Sequence, residues 1–164
     1  MDIIQAIEKR TSIREFQDRS VPRSIVESLV DAGRRAPSAM NIQPVEFVVV
    51  TDKKTKSTLA SITDFGKFIK MAPVCFAVFA KETKYYLEDG CAAVENILLA
   101  AAGLELGACW VAGDKKPFAA DINKLLGVPA FFKLIALVPV GYPKHPPSPR
   151  GKRDLADVIH WERY

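Results

Sequence analysis

Two arginines and two hydroxyl side chains lie close together near the N-terminus. Arg10 and Arg14 are four residues apart and enclose Thr11 and Ser12. Guanidinium groups and hydroxyls suit a phosphate group, because they combine positive charge with directed hydrogen bonds. The segment therefore indicates an anion site. An ordinary solvated basic turn explains the same spacing, so this segment cannot decide the matter alone.

A second polar segment runs from Pro37 to Pro44. It carries a hydroxyl and two amides, on Ser38, Asn41 and Gln43, between its two prolines. Side-chain amides donate and accept hydrogen bonds at once, and they therefore suit the edge of a heterocycle. A polar loop whose side chains are satisfied within the protein is the alternative reading.

Two further segments could contribute to a ligand site. Residues 107–113 end in the small pair Ala112 and Gly113, where backbone amides can approach a ligand closely. The segment lacks a GxGxxG pattern, so it does not support a Rossmann dinucleotide site. Near the C-terminus, Arg150, Lys152 and Arg153 either complete a phosphate site or form a solvated tail.

Several kinds of chemistry lack the residues they need. The chain has two histidines and no GxSxG, HExxH or paired-cysteine motif, so a hydrolytic triad or a zinc site is not predicted. Cys75, Cys91 and Cys109 are predicted to be buried free thiols. Hydride transfer through a cofactor needs no such motif, because the cofactor carries the chemistry.

Hydrophobic spacing predicts the elements that position these segments. The segment from Arg10 to Phe16 is predicted to be extended. Two apolar strands, Val45 to Thr51 and Val74 to Ala80, do not alternate and are predicted to be buried on both faces. A short strand over 107–113 and a buried strand over 131–141 complete the sheet. Helices are predicted over 2–9, 22–36, 53–64, 91–106 and 117–126. This mixture favours an α+β class.

The helix from Cys91 to Leu106 is apolar nearly all round. Such a helix must be buried on almost every side, which predicts a subunit interface. A central core helix in a monomer is the alternative. After Gly141 a proline-rich segment is predicted to be extended and to wrap a partner subunit.

Composition narrows the classes of protein. The chain has 164 residues, 49% of them hydrophobic, with a net charge of +4. This suits one folded domain rather than a disordered chain, and it lacks the concentrated basic patch of a nucleic-acid binder. We expect neither a signal peptide nor a membrane span, and hence a cytoplasmic protein.

Four sequence blocks, in this order, resemble those of the nitroreductase-like FMN-dependent oxidoreductases in their short form. The resemblance extends over essentially the whole chain. The blocks are EKRTSIREF at 8–16, RAPSAMNIQP at 35–44, DGCAAVENILLAA at 89–101 with GACW at 107–110, and PRGKR at 149–153. The resemblance implies a single domain over 1–164 that forms a three-layer sandwich. Its central, mostly antiparallel sheet would be flanked by helices, and the C-terminal arm over 143–164 would be exchanged in a homodimer.

The resemblance also implies a role for each site residue. Tightly bound FMN would lie at the subunit interface, with no metal, nucleic acid or membrane as partner. Arg10, Thr11 and Ser12 would hold its phosphate and ribityl side, and Arg14 would lie nearer the pyrimidine ring. The other residues implied are Arg150 and Lys152 on the phosphate, Pro37, Ser38, Ala39 and Asn41 from the other subunit, Gln43 supporting that loop, and the amides of Ala112 and Gly113 facing flavin N5 and O4.

The implied activity is that of an NAD(P)H:acceptor oxidoreductase. Hydride would pass through flavin N5 to a nitroaromatic, a quinone or a similar flat acceptor in a ping-pong scheme. The alternatives are dehydrogenation, dehalogenation, or a flavin-binding redox sensor without turnover. Two departures from the family pattern stand out. Val45-Glu46 replaces an aromatic residue, and only a few residues, including Tyr85 and Tyr86, precede the long helix, which predicts an open flavin face. Lys67 is a stand-in for a lysine that longer members place near the flavin.

Overall fold

An antiparallel sheet of five strands forms the centre of the molecule. The computed structural model describes residues 1–148 and 150–164. The strand order is β1-β2-β5-β3, and β4 also pairs with β5. The strands are β1 (Val45–Val50), β2 (Val74–Lys81), β3 (Gly107–Ala108), β4 (Val111–Ala112) and β5 (Phe132–Gly141). β3 and β4 pair with successive parts of β5 and together form one edge, while β1 forms the other.

Helices cover both faces of this sheet. They are α1 (Ile3–Lys9), α2 (Arg23–Arg34), α3 (Lys53–Ile62), α4 (Tyr86–Gly103) and α5 (Ala119–Leu126). Alternate residues of β2 divide between the two cores, because successive side chains of a strand point to opposite faces. Phe76 packs with α2 and α4, whereas Phe79 packs with α3 and α5. The predicted α+β class and layered arrangement are confirmed.

The predicted burial is right for β2 and wrong for β1. Residues Val74 to Ala80 are at most 1% exposed. In β1, Glu46 is exposed and the Val49 residue is 40% exposed. The reason is strand order: β1 lies at the edge of the sheet, where the helix layers cover it incompletely.

Two predicted boundaries also change. α4 begins at Tyr86, five residues earlier than predicted, and ends at Gly103. The predicted strand over 107–113 is divided into β3 and β4, with Cys109 and Trp110 between them.

Apolar side chains remain uncovered in three places. Ile3, Ile4 and Ile7 of α1 are at least half exposed, and Ala6 alone is buried in that helix. Along α4, the face that carries Leu99 is only partly covered. The described residues from 150 to 164 are all exposed. Within the described part of the chain, no helix is long and apolar enough to cross a membrane.

Candidate functional site

The arginine-rich segment is extended, as predicted, and is bonded to the sheet on both sides. The Ile13 amide donates to the Ala108 carbonyl at 2.9 Å, next to a parallel bridge between Ser12 and Ala108. Further along, the Lys144 amide donates to the Glu15 carbonyl at 3.0 Å. These bonds attach the segment to β3 and to the chain that follows β5, and so hold its backbone in place.

The extended backbone divides the segment into two sides, because successive side chains point in opposite directions. Arg10, Ser12 and Arg14 share one side, and the long Arg10 side chain also borders a groove next to Thr11. Ile13 lies on the other, where a Cβ at Gly107 would be only 2.7 Å from its side chain. Thr11 lies with Ile13 and borders the same groove of about 580 Å³, so the structure separates it from Ser12 and Arg14.

The groups that shift the pKa of the Cys109 thiol include the three residues that share a side. Burial raises the pKa of this thiol, whereas Arg14, a hydrogen bond from Ser12 and Arg10 lower it. All three groups therefore lie near this buried sulfur. Arg10 has a partial counter-charge, since its Nε is 3.9 Å from Glu95 Oε1. Arg14 makes no salt bridge among residues 1–148 and 150–164, so its charge is available to an anionic ligand.

The edge of β4 offers one backbone amide rather than the predicted two. The Gly113 amide donates to the Ile135 carbonyl at 3.0 Å, so it cannot face a ligand. The backbone amide of Cys109 likewise donates to the Pro139 carbonyl at 3.3 Å. Hydrogen-bonded and non-bonded pairs alternate in an antiparallel ladder, so the intervening Ala112 amide points away from β5. The prediction is therefore wrong for Gly113, and Ala112 remains a candidate.

A cavity of about 360 Å³ lies beside this edge. Arg14 and Ala112 border it, together with Phe65, Phe68 and Trp110. The guanidinium of Arg14 is 5.8 Å from the centre of the Phe68 ring, and Phe65 is 85% exposed at the rim. A cation, an outward amide and aromatic walls suit a flat, electron-accepting ring.

Sequence reasoning missed this aromatic wall. Phe65 and Phe68 lie between α3 and β2, beside Gly66, and their spacing alone resembles that of core residues. Lys67, the stand-in noted above, donates instead to the Ser61 carbonyl at 3.0 Å. The structure therefore gives no support to Lys67 as a ligand of the ring.

The Pro37–Pro44 loop connects α2 to β1 and has a strained backbone. Met40, Asn41 and Gln43 all have φ near +53°, a conformation that costs most residues on the order of 1 kcal/mol or more. The backbone amide of Gln43 donates to Ser38 Oγ at 2.9 Å, and this hydrogen bond holds the loop from within. Pro37, Met40 and Asn41 are exposed.

A hydrogen bond to Asp89 of α4 holds this loop against the helix. The Asp89 Oδ1 atom accepts a hydrogen bond from the Ala39 amide at 3.0 Å, and the residue is only 6% exposed. Sequence reasoning did not select Asp89, because an acidic residue in the first turns of a helix is common for reasons of helix dipole alone.

The two halves of the predicted site lie at opposite edges of the sheet. The loop precedes β1, whereas Ser12 pairs beyond β3, with β2 and β5 in between. Four interstrand spacings correspond to about 19 Å. In the described chain, no hydrogen bond or salt bridge joins Arg10, Ser12 or Arg14 to Ser38 or Asn41, and neither the groove nor the aromatic cavity that these arginines border includes the loop.

The basic C-terminal cluster also lies apart from the segment that carries Arg10, Ser12 and Arg14. Arg150 and Lys152 are exposed, make no salt bridge in the described chain, and do not line the groove or the aromatic cavity. Arg153 donates to the Asp157 carbonyl at 2.7 Å. Pro149, which opens this predicted block, lies outside the described residues.

Comparison with known proteins identifies the family. The sequence profile of the Nitroreductase family matches residues 7–86 and 65–142. A protein of Methanothermobacter thermautotrophicus, provisionally named NADH dehydrogenase/NAD(P)H nitroreductase, is 34% identical over 172 residues, which cover 100% of this chain and 88% of that protein. Iodotyrosine deiodinase 1 of Mus musculus is 27% identical and is covered to 68%, against 96% of this chain.

Solved structures agree. A protein of Parabacteroides distasonis with the same provisional name has a TM-score of 0.94 at 31% identity, over 99% of this chain and 98% of that one. A provisionally named nitroreductase of Desulfovibrio desulfuricans, in complex with FMN, has a TM-score of 0.84 at 31% identity, over 100% and 98%. The chain belongs to the nitroreductase family and is an oxidoreductase of that class.

Proposed function

We propose that the protein is an FMN-dependent NAD(P)H:acceptor oxidoreductase whose active site is built by two copies of the chain. The observation that carries this proposal is the separation of the two half-sites. One edge of the sheet presents the cationic face of Arg10, Ser12 and Arg14, and the opposite edge presents a strained polar loop with exposed Met40 and Asn41.

The residues present fit FMN. Arg10 and Ser12 offer charge and a hydroxyl to a phosphate and its ribityl chain. Arg14 reaches the aromatic cavity, where its positive charge would stabilise the negative charge that a flavin ring gains on reduction. The outward Ala112 amide can donate to the ring edge. When bound, FMN would take a hydride from NAD(P)H and pass electrons to the acceptor.

The second copy supplies what one chain lacks. Pro37, Ser38, Ala39 and Asn41 would reach the cofactor from the partner, with Gln43 closing the loop onto Ser38. The exposed isoleucines of α1 and the partly covered face of α4 provide apolar surface for a homodimer interface.

The C-terminal arm belongs to the same proposal. Its last part carries Leu155 and Trp161, which are 73% and 75% exposed in the single chain. The arm begins against its own chain, where the Lys144 amide donates to the Glu15 carbonyl, and we infer that its residues 150–164 pack on the partner. Its Arg150 and Lys152 would then bind the FMN phosphate together with Arg10 and Ser12 of the other chain. Thr11, on the far side of its segment, would support that segment without touching the cofactor through its side chain.

The aromatic walls of the cavity beside β4 favour one kind of acceptor. Phe65, Phe68 and Trp110 favour a flat molecule that stacks on the ring. Because donor and acceptor would use the same space, they would react in turn, as a ping-pong scheme requires. No side chain of this cavity is needed as an acid or base.

Dehalogenation is a second candidate, and the likeness to iodotyrosine deiodinase 1 favours it. Both activities would draw two electrons from the reduced cofactor, but dehalogenation would also break a carbon–halogen bond, release halide and add a proton to the carbon. A flavin-holding redox sensor without turnover is the third reading, and kinetics separate it from both.

One experiment tests the main proposal. Purified protein, loaded with FMN, is mixed with NADH or NADPH without oxygen, and the flavin absorbance is followed. A nitroaromatic, a quinone or iodotyrosine is then added. We expect rapid bleaching by the donor and rapid recovery with the nitroaromatic or quinone. Recovery with iodotyrosine alone would favour dehalogenation, recovery with none would favour the sensor, and a protein that takes up no FMN would refute the proposal.

A further inference from the structure

A second cavity, rimmed by lysines, lies beyond the aromatic one. Its volume is about 570 Å³, within the range of small-molecule sites. Ala119, Phe132 and Leu134 form part of an apolar floor. Four lysines border the cavity, namely Lys115, Lys116, Lys124 and Lys133.

The charges of this cavity do not balance. Lys133 pairs with Glu82 at 3.1 Å, and Lys115 lies 3.9 Å from Asp114. Within residues 1–148 and 150–164, Lys116 and Lys124 make no salt bridge. Two ammonium groups are thus left at the mouth of a partly apolar cavity, which favours a ligand that joins an anionic group to an apolar one.

The turn that carries two of these lysines is strained. Lys115 has a φ of +56°, although a lysine gains nothing sterically from that conformation. The turn is closed by a bond from the Lys116 amide to the Gly113 carbonyl at 3.3 Å. Strain of this kind often marks a segment that presents groups to a ligand.

Lys116 connects the lysine-rimmed cavity to the aromatic cavity, because it borders both. The turn from Gly113 to Lys116 directly follows Ala112, which borders the aromatic cavity and whose amide points away from β5. The two cavities are therefore adjacent, and the turn from Gly113 to Lys116 lies between them.

The geometry points to the lysine-rimmed cavity as the binding site for the anionic part of the reactant whose flat ring stacks in the aromatic cavity. This inference rests on the proposed function. The chemistry required is a phosphate or carboxylate joined to a reducible or oxidisable ring. The phosphates of a pyridine nucleotide donor and the carboxylate of an acidic acceptor both meet it.

Tyr86 forms the rigid side of the cavity. Its hydroxyl donates to Asp114 Oδ1 at 2.9 Å, and this hydrogen bond fixes the carboxylate beside the lysine turn. Asp114 is therefore directed at Tyr86 and Lys115. Lys116 and Lys124, which make no salt bridge in the described part of the chain, remain available for an incoming anion.

The test compares charged and uncharged reactants in the FMN-loaded protein. The variant is Lys116→Gln/Lys124→Gln, which removes the two exposed lysines that make no salt bridge within the described residues. Because Lys116 also borders the aromatic cavity, the uncharged reactants measure any effect of the variant on that cavity. Lys53→Gln, an exposed lysine on α3, is the matched control. The donors are NADPH and an N-alkyl dihydronicotinamide without phosphates, and the acceptors are a nitrobenzoate and an uncharged nitrobenzene.

We expect the double variant to raise KM for at least one charged reactant by about three- to tenfold relative to its uncharged counterpart, as the loss of two exposed ion pairs implies. The salt dependence of that KM should also weaken. An effect on NADPH alone assigns the cavity to the donor, and an effect on the nitrobenzoate alone assigns it to the acceptor.

Equal effects on charged and uncharged reactants, or none, would overturn the inference. The same protein reports separately on the proposed function, because reduction by the uncharged donor requires bound FMN but no anion site. Without FMN uptake both proposals fail, whereas normal turnover with unchanged KM values refutes this one alone.

Discussion

Replacing Arg14 with alanine should weaken FMN binding without destabilising the fold. Arg14 is exposed, makes no salt bridge in the described part of the chain, and lies 5.8 Å from the Phe68 ring. Its loss should change the free energy of unfolding by no more than about 0.5 kcal/mol. A charge-assisted hydrogen bond to the cofactor is worth about 1.5–3 kcal/mol. Since about 1.4 kcal/mol corresponds to tenfold, the dissociation constant should rise by about one to two orders of magnitude.

The assay is titration of flavin-free protein with FMN, followed by the quenching of flavin fluorescence. Arg14→Lys keeps the charge but loses the planar fork, so we expect it to recover part of the affinity. Arg23→Ala is the matched control, because Arg23 is an exposed arginine that pairs with Glu27 on α2, away from the aromatic cavity. An unchanged dissociation constant in Arg14→Ala, with an unchanged melting temperature, would refute the assignment of this face to FMN.

Three further predictions concern other parts of the molecule. Asp89→Ala should weaken FMN binding by about tenfold, because the loop loses a hydrogen bond to a charged group, whereas the exposed neighbour Glu88→Gln should not; equal effects would argue against loop anchoring. Phe65→Ala should raise KM for a nitroaromatic by about threefold or more through lost stacking and leave the melting temperature unchanged, since Phe65 is 85% exposed; an unchanged KM would remove Phe65 from the acceptor site. Burial raises the pKa of the Cys75 thiol to about 12, so the reactive thiolate is scarce at neutral pH. Mass spectrometry should therefore find that iodoacetamide does not alkylate Cys75 at neutral pH until the protein is denatured. Labelling of the native protein would show that the core opens.

The layered fold was predictable because its signals are local. β2 from Val74 to Ala80 and β5 from Leu134 to Gly141 are uninterrupted apolar runs, and such runs indicate burial on both faces whatever their neighbours are. β1 has a similar composition but lies at an edge. Strand order depends on long-range pairing, which no local pattern contains, and the burial of β1 was therefore predicted wrongly.

The site was predictable to the level of segments and not of atoms. Arg10, Ser12 and Arg14 share a side because the backbone is extended, which residue types and spacing indicate. Whether Ala112 or Gly113 presents its amide depends on the phase of the ladder with β5, and only the pairing reveals it. Asp89 acts through a contact between residues 50 positions apart, which spacing along the chain cannot show.

Subunit mixing tests the central claim most directly. One variant carries Arg10→Ala/Arg14→Ala, and the other carries Ser38→Ala/Asn41→Gly, where glycine tolerates the positive φ of that position. Each is expected to bind FMN poorly by itself. If two chains build each site, a mixed dimer contains one site with both halves intact. We predict that unfolding and refolding the two variants together restores FMN binding and NAD(P)H-dependent reduction of a nitroaromatic, to the extent that mixed dimers form. Mixed dimers that form and still bind no FMN would contradict the account, because they would show that each site draws both halves from one chain.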